Sequence, residues 1–428
     1  MITSISIENY KSIDKLDFSL GRVNVLIGEN GAGKSNILEA IALAGAAVSD
    51  KLDNEFLSSR GIRVTRPEYM RPAFPGFQAS SSIVIDLQSS DHERMSLKVK
   101  NDNEPYSKWQ CEARGESEEA MDIANVLRSL ESFLKENSDK ESARREIVRN
   151  IESWLQQVSP DQEQAKQLPK SGTPMRRGGL KNVKVKLDSD GHFGQYLWKQ
   201  AYKRETIESL GQFIIYSPEN SSLRIFEKEG QIEPLGINGE GLLRLMSVLH
   251  ADNKYAHAFL GIRQSLRVLG WFEDLDIIDD ENKPASRIEI RDRYIDSTRR
   301  YFDQISTNEG FLFLVFYFSL FSCDLTPRFF AVDNIDASLN PKLCSLLMEQ
   351  LVALAKAYNK QVVLTTHNPA ILDGLNLDDD DQRLFVTSRN RKGYTRLKRV
   401  VKEQSTTTPI RLSEAFLRGS LGGLPKGF

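Results

Sequence analysis

The sequence predicts an α/β fold, a phosphate-loop core with mixed sheets that is opened in its middle by a largely helical insertion. Three observations predict it. Gly28 to Ser35 (GENGAGKS) matches G-x-x-x-x-G-K-[ST] at every fixed position and lies between an apolar strand and a stretch of helical spacing. Arg328 to Asp333 is an apolar strand that ends in a carboxylate. Between these halves the composition turns charged, poor in Gly and Pro, and helical in period.

Each element follows in order. Residues 1 to 27 alternate as an antiparallel pair does, through Ile5 and Ile7, then Leu16, Phe18 and Leu20, and after a turn at Gly21 through Val23, Val25 and Ile27. Ile37, Leu38, Ile41, Leu43 and Ala44 then recur at helical intervals over Lys34 to Val48. Loop-like Pro and Gly from Leu57 give way to a strand at Ser82 to Leu87. Glu116 to Ser159 reads as two helices joined near Ser138-Asp139, and Ala165 to Leu187 as a mobile basic loop. Apolar strands return at Phe213 to Tyr216, Phe329 to Val332 and Gln361 to Leu364. The expected organisation is therefore a core whose N-terminal part lies at 1–90, a helical insertion with a basic loop at 91–210, and a core C-terminal part at 211–428.

The chain has 428 residues, 57 Lys and Arg against 59 Asp and Glu, and a formal net charge of -2. Disordered, collagenous and disulfide-stapled classes are excluded. Cys111, Cys323 and Cys344 are distant from one another and odd in number, which reads as a reducing cytoplasm with no bridge framework. The longest apolar run, Phe311 to Phe321, is far short of the roughly 20 residues of a membrane span, so no membrane is expected.

The chemistry begins in the glycine loop. Gly31 and Gly33 let backbone N–H groups approach phosphates, Lys34 reaches the β- and γ-phosphates, and the Ser35 hydroxyl ligates Mg²⁺. Asn30, Gly31, Ala32, Gly33, Lys34, Ser35 and Asn36 are the candidate nucleotide-binding residues. Asp333, at the carboxyl end of its strand, is the expected second Mg²⁺ ligand, so a nucleoside triphosphate and Mg²⁺ are the expected cofactors. Lys34 and Asp333 lie about 300 positions apart, far more than a compact GTPase or nucleotide kinase needs. A GTPase would also carry Asn-Lys-x-Asp, whereas Asn359-Lys360-Gln361-Val362 lacks the carboxylate.

These residues, with the opening ISIENYKSID, the stretch PLGINGEGLLRLM, ISTNEGFLFLVFYFSLF and VVLTTHNP, resemble the ATP-binding-cassette ATPases of the RecF, SMC and OLD branch. The resemblance covers both ends of the chain and leaves the middle unmatched. It implies an ABC-type ATPase head that binds ATP between two copies, hence a homodimer. It implies a signature segment at Ser306 to Gly310, where Asn308 and Gly310 would touch the γ-phosphate of the opposite subunit. It also implies a switch histidine at His367, and a catalytic group after Asp333. There this chain departs from the pattern, because Asn334 stands where most relatives have a Glu. An amide cannot take a proton from water. Either hydrolysis is slow, the favoured reading, or a nearby carboxylate such as Asp336 takes over.

Relatives of this shape often serve anti-phage defence or DNA repair beside a nuclease, and the resemblance implies anti-phage defence with a separate nuclease or effector partner as the favoured setting. The acid-free run Arg389 to Lys402 and the 165–187 segment offer contact with a DNA or RNA backbone. The alternatives are a RecF-type repair ATPase, a non-hydrolysing ATP-dependent scaffold, and a nuclease within the same chain. For the last, the residues after His367 lack a carboxylate cluster suited to metal, and Asp274-Leu275-Asp276 lies on an ordinary strand.

Overall fold

The computed structural model describes residues 1–77, 81–121, 180–187, 204–226, 230–278, 287–296, 301–401 and 410–423. Its strands are β1 (Ile2–Tyr10), β2 (Ile13–Ser19), β3 (Val23–Gly28), β4 (Ile83–Ser89), β5 (Arg94–Lys100), β6 (Gln110–Met121), β7 (Leu180–Leu187) and β8 (Ile215–Tyr216). They continue as β9 (Phe272–Ile278), β10 (Arg287–Asp292), β11 (Tyr301–Asp303), β12 (Phe329–Val332), β13 (Gln361–Thr366), β14 (Gln382–Arg389) and β15 (Thr395–Val400). One sheet is antiparallel in the order β2-β1-β4-β5-β6-β7, a second is mixed in the order β15-β14-β3-β13-β12-β8, and a small third is β11-β10-β9.

The second sheet carries the site. Its strands β14, β3, β13, β12 and β8 are mutually parallel, and only the edge strand β15 runs antiparallel to its neighbour. Parallel strands are normally covered on both faces, and here successive residues take turns between two cores. Val25 and Ile27, Phe330 and Val332, and Val362 and Leu364 face one core. Leu26, Phe329, Ala331 and Val363 face the other.

Helix α1 (Lys34–Val48) fills the second core, together with Ile5 and Ile7 of β1, Ile85 of β4 and Leu97 of β5. Every residue from Ile37 to Val48 is buried, and all but Glu39, which is ion-paired, are apolar or glycine, as expected of a helix enclosed in a core. On the opposite face lies the helix Glu309–Ser322, buried from Phe311 to Ser322, with Phe316 edge-on to Tyr216 at 5.8 Å and Phe321 edge-on to Phe330 at 5.1 Å. Its apolar run is core. Among the described residues no helix is long and apolar enough to cross a membrane. Lys360, 1% exposed, ties the end of this helix to the entrance of β12 by donating to the carbonyls of Cys323 (2.6 Å), Thr326 (2.9 Å) and Pro327 (3.2 Å). Burial pushes its ammonium down to about 8.

Four expectations need correction. Val23 to Ile27 do not continue the β1–β2 hairpin. The strand enters the other sheet between β13 and β14, because all six of its residues are buried and demand cover on both faces. Glu116 to Met121, expected to open a helix, extend β6. Leu180 to Leu187, expected in the basic loop, form β7 and pair with β6. Val183, Val185 and Leu187 alternate with lysines, a strand period that the charge count conceals. Phe213 to Tyr216 shrinks to the two residues of β8. The expected insertion at 91–210 thus begins as sheet, since β5 and β6 ladder onto β4. The two expected helices, beyond Met121, and the basic residues 165–179 fall outside the described residues.

Candidate nucleotide and metal site

Strand β3, the glycine loop and α1 follow in the order that a phosphate cradle needs. Gly28 has φ 156° and passes so close to β14 that a Cβ would lie 2.1 Å from the Thr387 carbonyl oxygen. Gly31 and Gly33 take positive φ of 74° and 105°, conformations that glycine adopts without the cost of a side chain. Lys34 Nζ folds back onto the loop, donating to the carbonyls of Gly28 (2.9 Å) and Glu29 (3.1 Å). Burial pushes this ammonium down to about 8, against the pull of Asp333, Asp336 and Glu29.

The two halves of the chain meet at the end of β12. Ser35 Oγ donates to Asp333 Oδ2 at 3.0 Å across 298 residues of sequence. Thr365, fully buried on β13, donates to the other carboxylate oxygen, Oδ1. Mg²⁺ is the metal that this donor set would hold. Its oxygen ligands lie at about 2.0–2.1 Å in near-octahedral geometry, so two adjacent ligands stand about 3.0 Å apart. The observed Ser35–Asp333 separation equals that edge, and the residues fit the ion.

Asn334 follows in a left-handed conformation, φ 56°, exposed, with its N–H on Thr365 Oγ1 at 2.9 Å. Asparagine tolerates that region better than most residues, which is a conformational reason for its presence independent of catalysis. Asp336 turns back towards β13, where its Oδ1 accepts from Thr366 Oγ1 (2.7 Å) and from the His367 N–H (3.3 Å). Burial, and then the Lys34 ammonium, hold the His367 imidazole below its ordinary pKa, so the ring is neutral at pH 7.

Asn308 caps the helix Glu309–Ser322, its Oδ1 accepting from the Phe311 N–H at 2.8 Å. Gly310 abuts the segment after Asp333, since a Cβ there would lie 3.3 Å from the Ser338 carbonyl oxygen. The Asn308 carbonyl is thus spent on capping, and its amide nitrogen is the group left for a phosphate. Asn30 is exposed and Ala32 buried, while Asn36 bridges Ser12 (2.6 Å) and Arg63 (3.2 Å).

Several neighbours escape sequence reasoning. Thr365 holds Asp333. Arg63 pairs with the buried Glu39 at 2.5 Å, beside Lys11, which pairs with the same carboxylate. Arg389 Nε holds the Gly31 carbonyl at 2.7 Å, although the basic run it opens signals only charge. The Thr-Thr-His run ending β13 is the one local signal that pointed here. Elsewhere, Asp274 pairs with Arg263, and among the described residues no group of three or more His, Cys, Asp or Glu could hold a metal.

The arrangement can wrap phosphates with backbone N–H groups and hold one divalent cation, and it gathers an amide, a carboxylate and a neutral imidazole at the ends of β12 and β13. The lowered Lys34 predicts a pH dependence with a definite sign. Below about pH 8 the ammonium is already formed, whereas above it a triphosphate must first draw a proton onto Lys34. Affinity for a non-hydrolysable ATP analogue is expected to fall by only about half from pH 7 to 8 and to weaken up to about tenfold per unit above that. Titration calorimetry in buffers of different ionisation enthalpy would register the proton uptake. Affinity that stays flat to pH 9.5 would contradict it.

The model of the RecF/RecN/SMC N-terminal domain family matches residues 1–379. The DNA replication and repair protein RecF of Bacillus thuringiensis (strain Al Hakam) is 42% identical over 55 residues, 13% of this chain and 15% of the relative. RecF of Bacillus anthracis (strain CDC 684 / NRRL 3495) matches to the same extent. The aligned part therefore spans less than a sixth of these relatives. Among solved structures, an SMC head bound to the C-winged helix domain of ScpA is similar at a TM-score of 0.51 and 12% identity, covering 94% of this chain and 98% of that one.

Proposed function

This chain belongs to the RecF/RecN/SMC N-terminal domain family, and from that premise we propose that it is an ATP-switched dimer that hydrolyses Mg-ATP slowly and acts on DNA. The observation that carries the reading is the meeting of Ser35 and Asp333 at 3.0 Å, which completes a Mg²⁺-triphosphate site from both ends of the chain. When bound, Mg²⁺ supplies charge neutralisation at the β- and γ-phosphates. The chain's own residues do the rest. Gly31, Gly33 and Lys34 bind the phosphates, Asn334 and neutral His367 orient a water at the γ-phosphate, and Asn308 and Gly310 reach the nucleotide of a second copy.

The setting proposed is RecF-type DNA repair rather than anti-phage defence beside a separate nuclease, because RecF proteins are among the relatives matched. The β14–β15 hairpin supports contact with a nucleic-acid backbone. Arg391, Lys392, Arg396 and Lys398 are exposed on it, and no carboxylate pairs with any of them among the described residues. Such binding would follow charge and shape, and would weaken steeply with salt.

Light scattering with and without Mg-ATP tests the switch. The protein is expected to double in mass with a non-hydrolysable analogue, and Gly310→Asp to bind the analogue yet stay monomeric. Nucleotide binding with no change in mass for the unaltered chain would remove Asn308 and Gly310 from the site.

A further inference from the structure

A chain of side-chain hydrogen bonds runs from the surface into the glycine loop. Arg63 Nη2 donates to Asn36 Oδ1 (3.2 Å), and Asn36 Nδ2 donates to Ser12 Oγ (2.6 Å). The Ser12 and Thr395 hydroxyls lie 2.7 Å apart, and Thr395 Oγ1 donates to the Ala32 carbonyl oxygen (3.0 Å). Its ends set its direction. A carbonyl only accepts, so the single Thr395 proton is spent on Ala32, and Ser12 must be the donor to Thr395. A guanidinium only donates, so Asn36 turns its oxygen to Arg63 and its amide to Ser12. Ser12 and Thr395 are 6% and 1% exposed, and reversing either hydroxyl would leave a buried group unpaired.

The effect on the loop follows from one peptide plane. In a trans peptide the C=O of one residue and the N–H of the next point in opposite directions. With the Ala32 carbonyl held by Thr395, the Gly33 N–H must face away from the hairpin. The preceding carbonyl, that of Gly31, is held by Arg389 of the same hairpin at 2.7 Å. The approach leaves no slack, because a Cβ on Gly33 would fall 2.1 Å from Thr395 Oγ1 and 2.9 Å from Ser12 Oγ.

We propose that Ser12 and Thr395 are positioning residues for phosphate binding, fixing the Ala32–Gly33 peptide so that the Gly33 N–H is presented to the nucleotide before it arrives. The proposal rests on the reading of this loop as a nucleotide site. A preset donor spares the ligand the cost of turning the peptide, so its loss should appear in affinity and not in the chemical step. ADP and ATP should suffer alike, since the contact does not require a γ-phosphate.

The test uses the full chain with Thr395→Val, which keeps the side-chain shape and loses the hydroxyl, Thr395→Ser, which restores it, and Ser12→Ala. Dissociation constants for ADP and for a non-hydrolysable Mg-ATP analogue are measured with Tm and with kcat and KM. Thr395→Val is expected to weaken both nucleotides about tenfold and raise KM with kcat unchanged, and Thr395→Ser to recover wild-type affinity. The double variant Ser12→Ala/Thr395→Val should bind no more weakly than Thr395→Val alone, since both interrupt one chain. Wild-type affinity in Thr395→Val, or equal weakness in Thr395→Ser, would overturn the proposal. Should Thr395→Val not fold, Ser12→Ala decides by the same measurement, and wild-type affinity there overturns it too. A wild-type protein that binds no nucleotide would instead sink the site reading itself.

Discussion

Asn334→Glu is expected to raise Mg-ATP turnover by about 10- to 100-fold, because a carboxylate in that place can take the proton that an amide cannot. The position is exposed and directly follows Asp333, so a longer side chain has room to reach the water that Asn334 is proposed to orient. The backbone opposes the change. At φ 56° a glutamate pays about 1 kcal/mol that asparagine largely avoids, so a small fall in Tm should accompany the faster turnover. The measurement is kcat at saturating ATP together with analogue affinity. Asp336 is the rival base. Its Oδ1 is engaged by Thr366 and by the His367 N–H, and Asp336→Asn keeps that acceptor while removing the charge. Turnover within about threefold of wild type is expected for Asp336→Asn, below the factor that loss of a general base brings. An unchanged or lower kcat in Asn334→Glu, with a collapse in Asp336→Asn, would transfer the role to Asp336.

The second large effect is loss. Asp333→Asn should lower Mg-dependent turnover by about a thousandfold or more while leaving magnesium-free nucleotide binding near wild type. The carboxylate receives two hydroxyl donors, from Ser35 and Thr365, and an amide can accept only through its one oxygen. The variant therefore loses a charge where the ion would bind and presents an N–H to one of the two hydroxyls. Lys34 and the glycine loop are untouched, which is why phosphate binding should survive. Turnover within tenfold of wild type would mean that Asp333 is not the metal carboxylate.

Much of the site was legible because its parts are local. The glycine loop is eight consecutive residues whose backbone must curl, and its glycines occupy positive φ as the motif requires. The strand Phe329–Val332 with its terminal Asp333 was visible to the residue, since four apolar side chains in a row need cover on both faces. The family resemblance drawn from such segments agrees with the family model that matches residues 1–379. Less was legible where one pattern serves two structures. Val23 to Ile27 alternate like a hairpin strand, yet Asn24 and Leu26 are as buried as their neighbours, and the strand lies in the parallel sheet. Lysines hid the strand β7, and Asn308 satisfies a helix end with the same side chain that a phosphate contact would use.

The sequence by itself determined the phosphate loop, the buried strands and the apolar helix, because each is dictated by neighbours within a few residues and by the period of burial. Only the tertiary structure decided that Ser35 and Asp333 meet in a hydrogen bond from opposite ends of the chain, that Thr365 holds the carboxylate, and that Ser12 and Thr395 reach the glycine loop. A hydroxyl leaves no period in a sequence. Its partner, hundreds of residues away, is chosen by the order in which strands stack, and that order comes from long-range packing.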